Sequence, residues 1–552
     1  MVVEAGAGTG KTTTLRLLAE AMPERRGLYI AYNRSIAHEA AASFPQQVEC
    51  RTAHSLAWST YGAMFAERVT NGNRVKPWDA AKMLGIFSDF KIGPKVTLKP
   101  WQQWRLVKDT ITRFCYSDSM TIEAWHVPRV DGCEDMLGLR KFILQHAVDA
   151  WNTDIIKPEG TLPFTHDFYL KMWAMSLPRL GYDYIMLDEA QDANPVIAQV
   201  FSSQTHAQQV SVGDSCQAIY GWRGATDYLT SAAQEVDHHL FLSQSFRFGP
   251  AVAEEANKWL ESLNSPLRLE GFDQVPSELC KLNRPDAILC RTNAQVVSEA
   301  ISAMEDGQRV SVVGGLDQVA KFADEAEKLQ RGQHSTHPDL QGFETWADVQ
   351  EFAQTSEGRE LAVSVRLVDR YGPARIRAVA SKTVPESQAD VVASTAHKAK
   401  GREWSAVRIA PDFADMPLDE DGLITRPEQM LAYVSVTRAM RQLDRGALAL
   451  IDQYMGQGSA GEQLEAPEGM FVVGQRVQFA HAEPMVQDPE DPSPLIDFMD
   501  QGGATTITEV RLEELVPGGP RLTQVVVEWE GEHRTFAHYF LQPVLAEDPL
   551  KV

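Results

Sequence analysis

Short apolar runs that stop at glycine or acidic turns recur over about the first 450 residues, with segments of helical period between them. Val2 and Val3 read as the end of a buried strand, and Thr13 to Met22 as a helix with Leu15, Leu17 and Leu18 apolar. Gly27–Ala31 (GLYIA) is a second short strand, followed by Tyr32-Asn33-Arg34 and an alanine-rich helix to Ala42. Val48 to Arg51 and Tyr184 to Leu187 (YIML) add two more, and Val210 to Val212 starts another that ends at Gly213-Asp214. A second series begins near Phe246, with Ala287 to Cys290 (AILC) and Val391-Val392 as its strands. Strands that end in such turns, with helices between them, predict parallel α/β sheets whose ligands sit at the carboxyl ends of the strands.

Two stretches break this rhythm. From about Leu56 to Phe164, and again from Gly314 to about Ser387, the pattern turns mostly helical and polar. The predicted organisation is a first α/β unit over 1–55 and 165–244, interrupted by a helical insertion over 56–164. A second α/β unit covers 245–313 and 388–452, with a shorter insertion over 314–387. Residues 453–469, rich in Gly, Gln and Glu, read as a linker. Residues 470–545 alternate in short runs such as Thr523 to Trp529 (TQVVVEW), as expected of a small β-barrel-like domain. Within the first insertion, Trp101, Trp104, Arg105, Lys108, Arg113, Phe114 and Tyr116 interleave aromatics with cations. Such a run suits either a nucleic-acid surface or a buried amphipathic helix with a solvated basic face.

Composition narrows the classes. A chain of 552 residues with 44% hydrophobic content can build several cores. Its formal net charge of −23 means that a polyanionic partner would need a local basic groove. Cys50, Cys115, Cys133, Cys216, Cys280 and Cys290 show no C-x-x-C pair, which fits reduced thiols in a cytoplasmic setting rather than a zinc ribbon or a disulfide framework. No signal peptide and no apolar run of about 18 residues is seen, so no membrane span is expected.

The chemistry concentrates at Ala5-Gly6-Ala7-Gly8-Thr9-Gly10-Lys11-Thr12. A glycine-rich turn between strand and helix turns backbone N–H groups and a helix N-terminus toward an anion. Lys11 would reach the β- and γ-phosphates, and the Thr12 hydroxyl would ligate Mg²⁺. The strict pattern has Gly at the first position, where this chain has Ala5. Asp188 and Glu189 follow an apolar strand; the first would hold Mg²⁺ through water and the second would deprotonate the attacking water. Gln217 is placed to sense the γ-phosphate; Tyr220 and Trp222, a few residues on, can stack on unpaired bases, or one of them, Tyr220 as readily as not, is a core residue. Arg247 and Arg438 are guanidinium groups suited to a γ-phosphate arriving across a cleft.

The order of these segments is recognisable. AGAGTGKT, TAHSLA, DEAQD, GDSCQAIYGWRGA, SQSFRF, TAHKAKGREW and LAYVSVTRA resemble, in order and spacing, the UvrD/Rep branch of superfamily 1 DNA helicases. AYNRSIAHEA, THDFYLKMW and SFRFGPAVAEEA look like the helicase core of the F-box DNA helicases. The resemblance spans about residues 1–450 and implies two RecA-like domains, each with a mainly helical insertion, that use ATP and Mg²⁺. It implies nucleotide contacts from Ala5, Gly6, Ala7, Gly8, Thr9, Gly10, Lys11, Thr12 and Thr13. Catalytic roles would fall to Lys11, Asp188, Glu189, Gln217, Arg247 and Arg438, adenine stacking to Phe246 and a ribose contact to Glu403. Asn33, Thr52, His54, Tyr220, Trp222, Arg291, Asn293, Thr395 and His397 would line a single-stranded DNA track.

Three departures accompany the resemblance. Only four residues precede the phosphate loop, where the family carries an adenine-reading glutamine, so poor discrimination between ATP and GTP is expected. The second insertion is short, and the C-terminal β-region has no assigned counterpart. The expected activity is ATP-dependent 3′→5′ translocation on single-stranded DNA with unwinding at duplex junctions, serving repair, recombination or replication. In a bacterium or phage the protein would lie with the nucleoid. Two alternatives stay open: a translocase that strips proteins from single strands without efficient unwinding, and an ATP-gated DNA-binding scaffold with little turnover.

Overall fold

The computed structural model describes residues 1–70, 75–93, 97–130, 133, 135–221, 227–233, 236, 238–337, 339–340, 343–354, 359–419 and 423–452. Of the C-terminal region it describes the backbone of 476–479, 505–514, 521–529, 532–537 and 541–543. The chain divides into two compact units, one of Met1–Asp415 with Arg426–Leu448 and one of Met416–Thr425 with Ala449–Val552.

The first unit holds two sheets. The strands of the first are β1 (Val2–Ala5), β2 (Gly27–Ala31), β3 (Val48–Thr52), β4 (Tyr184–Leu187), β5 (Gln208–Gly213) and β6 (His239–Leu242). They pair in the order β3-β2-β4-β5-β1-β6, and every pairing is parallel. Parallel strands are covered on both faces, which is why β1, β2 and β4 are buried along their whole length. Alternate residues serve opposite faces. Val3, Tyr29, Met186 and Val212 pack with Leu15 and Ala19 of the helix Lys11–Glu20. Val2, Leu28, Ile30, Ile185 and Leu187 pack into the core of the long helical insertion.

The second sheet is built from β7 (Glu278–Leu279), β8 (Ala287–Cys290), β9 (Val310–Val312), β10 (Val391–Thr395), β11 (Trp404–Ile409) and β12 (Ala439–Asp444). Its order is β9-β10-β8-β11-β12-β7, again all parallel. Ile288, Cys290, Val310 and Val391 share a core with Phe322, Leu329, Trp346, Val349 and Ile376 from the helices between β9 and β10. The mixed α/β architecture with two parallel sheets, consistent with RecA-like domains, is thus present.

In the first interruption the helix Pro100–Tyr116 settles the mixed aromatic and basic run. Trp104, Val107, Ile111, Phe114 and Cys115 are buried, while Lys108 and Arg113 are exposed. It is a core helix with a solvated basic face, because the aromatics recur at helical spacing on the inward side. The Lys171 ammonium, fully buried on the helix His166–Met175, donates to the carbonyls of Ser117 and Ser119 at 2.6 Å each. It also lies 4.4 Å from the centre of the Phe114 ring, so it satisfies orphan acceptors at the end of the Pro100–Tyr116 helix.

The predicted linker 453–469 lies outside the described residues. Beyond it run β13 (Arg476–Phe479), β14 (Thr505–Glu514), β15 (Arg521–Trp529), β16 (Glu532–Ala537) and β17 (Leu541–Pro543). They form an antiparallel sheet in the order β16-β15-β14-β13-β17. Among the described pairings β16 and β17 are its two ends, so closure into a barrel is not seen there.

Glu4 is a carboxylate inside the first sheet, and its Oε1 accepts from the Ser215 amide at 2.9 Å. Burial pushes it up to about 7, against the lowering effect of that bond. The folded chain therefore takes up a proton that the unfolded chain does not hold, and stability falls as pH rises from about 4.5 to 7. Glu4→Gln keeps an acceptor for Ser215 and removes the titration. It is expected to raise stability at pH 8 by about 1–3 kcal/mol and to flatten that part of the pH profile in urea melts. An unchanged profile would show that Glu4 titrates alike in both states.

Candidate functional site

The loop after β1 turns on two glycines with positive φ, Gly8 at 74° and Gly10 at 79°. Gly10 caps the helix Lys11–Glu20 in the left-handed region, which glycine enters without steric cost. At Gly8 a Cβ would lie 2.5 Å from Arg247 Cβ and 2.7 Å from Ser245 Oγ. At Gly6 it would lie 2.3 Å from Leu269 Cδ2. The Phe246 amide donates to the Gly8 carbonyl at 2.9 Å, so the SQSFRF segment braces the loop from outside. Ala5, fully buried, is the last residue of β1 and needs no glycine conformation, so the departure there leaves the loop intact. The helix starts at Lys11, two residues before the expected start.

The acidic wall follows β4. Asp188 Oδ2 accepts from the Thr12 hydroxyl at 3.2 Å and from the Tyr29 hydroxyl in a short bond. Asp188 Oδ1 accepts from the Glu189 amide at 2.9 Å. Burial and the neighbouring Glu189 push Asp188 above the usual carboxylate range. Glu189 sits at φ 50°, a strained conformation for a non-glycine residue that aims its carboxylate at Lys11, 4.0 Å away. Burial works to raise Glu189, but Lys11, Lys400, the Gln191 amide and Arg438 outweigh it and hold it low. The surroundings thus push the two adjacent carboxylates in opposite directions.

Gln217 is buried and donates to Asp214 Oδ2 at 2.7 Å. The same oxygen accepts from the Tyr433 hydroxyl at 2.9 Å, and the Ala7 amide donates to that hydroxyl at 3.3 Å. Tyr433 lies on the helix Arg426–Val436, so a side chain from the second half ties the phosphate loop to the Gln217 turn. Arg438 is fully buried; it donates to the Val434 and Arg402 carbonyls and to Thr437 Oγ1. Burial and Arg247 push it down to about 9. Arg247 pairs with Glu403 at 2.5 Å and donates to the Thr437 carbonyl. Phe246 is 59% exposed, with Phe272 edge-on at 5.5 Å.

These groups line one cavity of about 730 Å³. Its wall includes Gly8, Lys11, Thr12, Thr13, Asp188, Glu189, Gln217, Phe246, Arg247, Glu403 and Arg438, together with Tyr32, Asn33 and Tyr220. Hard oxygens from Thr12 and Asp188 meet there, as a Mg²⁺ site asks.

The residues expected along a DNA track are more dispersed. The side chains of Asn33, Thr52 and Thr395 serve as helix N-caps, accepting from Ile36, Ser55 and Lys398. His54 meets Asp167 at 3.1 Å and packs edge-on to His166 and Tyr169. The Arg291 guanidinium forks onto Glu428 at 2.9 and 2.7 Å, and Asn293 opens the next helix. His397 is lowered by burial. Tyr220 is not a core residue: it is half-buried, stacks on Tyr32 at 5.8 Å and donates to the His397 carbonyl. Trp222 lies outside the described residues. Tyr29, Gln191, Asp192, Asp214, Lys400 and Tyr433 were not singled out from sequence, although all but Tyr29 stand inside the quoted motif strings.

A glycine-rich loop heading one parallel sheet, with a basic wall from the second half, is consistent with RecA-like domains. The UvrD/REP helicase N-terminal domain matches residues 169–236. F-box DNA helicase 1 of Gallus gallus is 29% identical over 487 residues, 80% of this chain and 46% of that protein. F-box DNA helicase protein 1 of Schizosaccharomyces pombe is 27% identical over 485 residues, 80% and 55%. DNA helicase IV of Escherichia coli is 24% identical over 342 residues, 52% and 50%. The chain is thus similar to the UvrD/REP helicase N-terminal domain over that stretch and to the F-box DNA helicases over most of its own length; it spans about half the length of the curated relatives it matches.

Tyr433→Phe keeps the ring and removes the hydroxyl shared by Ala7 and Asp214. It leaves a buried amide without its partner and a buried carboxylate with one donor fewer, so a loss of about 1–3 kcal/mol is expected in urea unfolding. An unchanged midpoint would show that the bridge carries no weight.

Proposed function

We propose that the chain is an ATP-dependent single-stranded DNA translocase and DNA helicase that moves 3′→5′. The observation that carries this reading is the single cavity in which Lys11, Thr12, Asp188, Glu189 and Gln217 face Arg247, Glu403 and Arg438. The loop amides and Lys11 would bind the β- and γ-phosphates, and exposed Phe246 would stack on the base. Thr12 and Asp188 would hold Mg²⁺, which supplies neutralisation of phosphate charge. Glu189, kept ionised by the cations around it, would accept the proton of the attacking water. Arg247 and Arg438 would complete the site from the second half, so that the cleft closes on ATP and reopens after hydrolysis. The names of the relatives support DNA as the substrate, and the stacked Tyr32–Tyr220 pair beside the cavity offers a platform for an unpaired base. No helix among the described residues is long and apolar enough to cross a membrane.

Glu189→Gln is expected to retain ATP binding and to lose most single-strand-stimulated turnover, because the water loses its base. Near wild-type ATPase in that variant would remove Glu189 from the role.

A chain at −23 must gather its cations to hold a polyanion. Affinity for an oligothymidylate is expected to fall with salt, with a slope of log K against log salt of about −0.7 per neutralised phosphate. A flat response would exclude a basic groove.

A further inference from the structure

Tyr29 lies outside the motif strings that carry the resemblance, yet its hydroxyl reaches the acidic wall of the cavity. It stands in the middle of β2, fully buried, with its ring tilted against Phe44 at 4.8 Å. β2 and β4 run parallel, with Tyr29 opposite Met186 and Ile30 opposite Leu187. Alternate residues share a face, so Tyr29 and Met186 point to the same side of the sheet. The Asp188 amide still donates to the Ile30 carbonyl at 3.2 Å, so the pairing runs one residue past β4. The phenol spans the rest: its hydroxyl donates to Asp188 Oδ2, the oxygen that also accepts from the Thr12 hydroxyl at 3.2 Å. Asp188 Oδ1 accepts from the Glu189 amide at 2.9 Å, so the carboxylate is held at both oxygens.

A buried phenol calls for a hydrogen-bond partner, yet that need alone does not choose this one. Tyr184 is equally buried on the neighbouring strand, and its hydroxyl has no partner among the described residues. What distinguishes Tyr29 is the group it holds. The Thr12 proton is spent on Asp188 Oδ2, so the lone pairs of that hydroxyl are turned away from the carboxylate. Where Oδ2 sits therefore decides where the Thr12 oxygen faces. Mg²⁺ tolerates little departure from octahedral geometry. Groups that orient its ligands from behind matter accordingly, and losing one typically costs about 10–100-fold in metal affinity.

We propose that Tyr29 is a positioning residue for the metal site. Its hydroxyl fixes Asp188, and through Asp188 the Thr12 oxygen, in the orientation that Mg²⁺ requires. The inference rests on the nucleotide-and-metal part of the reading above and adds to it a residue that touches neither ligand.

The test is the contribution of the metal to nucleotide binding, which is read without turnover. The Kd of a fluorescent, non-hydrolysable ATP analogue is measured with saturating Mg²⁺ and with EDTA, and the two values are divided. In the wild-type chain Mg²⁺ is expected to tighten binding by about tenfold or more. In Tyr29→Phe, which keeps the ring in the core, that ratio is expected to be smaller by about tenfold. Its Kd in EDTA is expected to stay within about twofold of wild type, since the loop amides and Lys11 are untouched. Tyr184→Phe is the matched control: it removes a buried hydroxyl at the opposite end of β4 from Asp188. Its ratio is expected to stay wild-type. Should Tyr29→Phe fail to fold, Tyr29→Met fills the site with another long side chain that lacks the hydroxyl. A wild-type ratio in the folded Tyr29 variant overturns the proposal, as does an equal loss in Tyr184→Phe. Equal weakening with Mg²⁺ and with EDTA also overturns it, because Tyr29 would then shape the cavity as a whole. A wild-type chain whose binding of the analogue does not respond to Mg²⁺ overturns the nucleotide-and-metal reading itself, so the two failures are distinct.

Discussion

Four carboxylates crowd the carboxyl ends of β4 and β5. Asp188, Asp192 and Asp214 are buried, and Glu189 stands among them. Left alone, such a cluster would protonate or unfold, because burying unpaired charge is costly. The cations that offset it come from different places: Lys11 from the phosphate loop, Lys400 from the end of β10 and Arg438 from the start of β12. The acidic cluster is therefore satisfied only when both halves of the first unit are in place. That dependence makes the cavity a joint property of the two sheets.

The same dependence appears in the hydrogen bonds. Tyr433 joins Asp214 to the Ala7 amide, and Phe246 holds the Gly8 carbonyl. Arg247 crowds Gly8 so closely that only glycine fits. The phosphate loop is thus held from outside by residues far downstream in the chain. Residues of the second half therefore touch the loop directly, through short contacts.

Of the two readings open for the aromatic and basic run over Trp101–Tyr116, the fold takes the buried amphipathic helix: Trp104 and Phe114 go to the core, and buried Lys171 is consumed by the carbonyls of Ser117 and Ser119. Arg291 is likewise committed to Glu428. Cations that look available in a list of residues are already partnered in the fold, so the surface open to a polyanion is narrower than the count of basic residues implies.

Much of this protein was legible in its sequence for physical reasons that act locally. Buried parallel strands are short apolar runs, so Gly27–Ala31, Tyr184–Leu187 and Ala287–Cys290 were delimited to the residue. The phosphate loop, Asp188 and Glu189 were legible because strand, turn and helix adjoin in the chain, and motif order carried the resemblance to UvrD/REP helicases. What tertiary structure alone decided involves partners far apart in sequence. Tyr433 meets Ala7 across 426 positions, Lys400 meets Asp192 across 208, and Tyr29 donates to Asp188 across 159. No spacing rule relates such pairs: strand pairing within the first sheet brings Tyr29 to Asp188, and packing of one sheet's turns against the other's brings the remaining two together. For the same reason Tyr220 could not be divided between core and surface until Tyr32 and His397 were seen beside it. Helical period placed Trp104 and Phe114 on one face, and only the insertion packed around that face made them core.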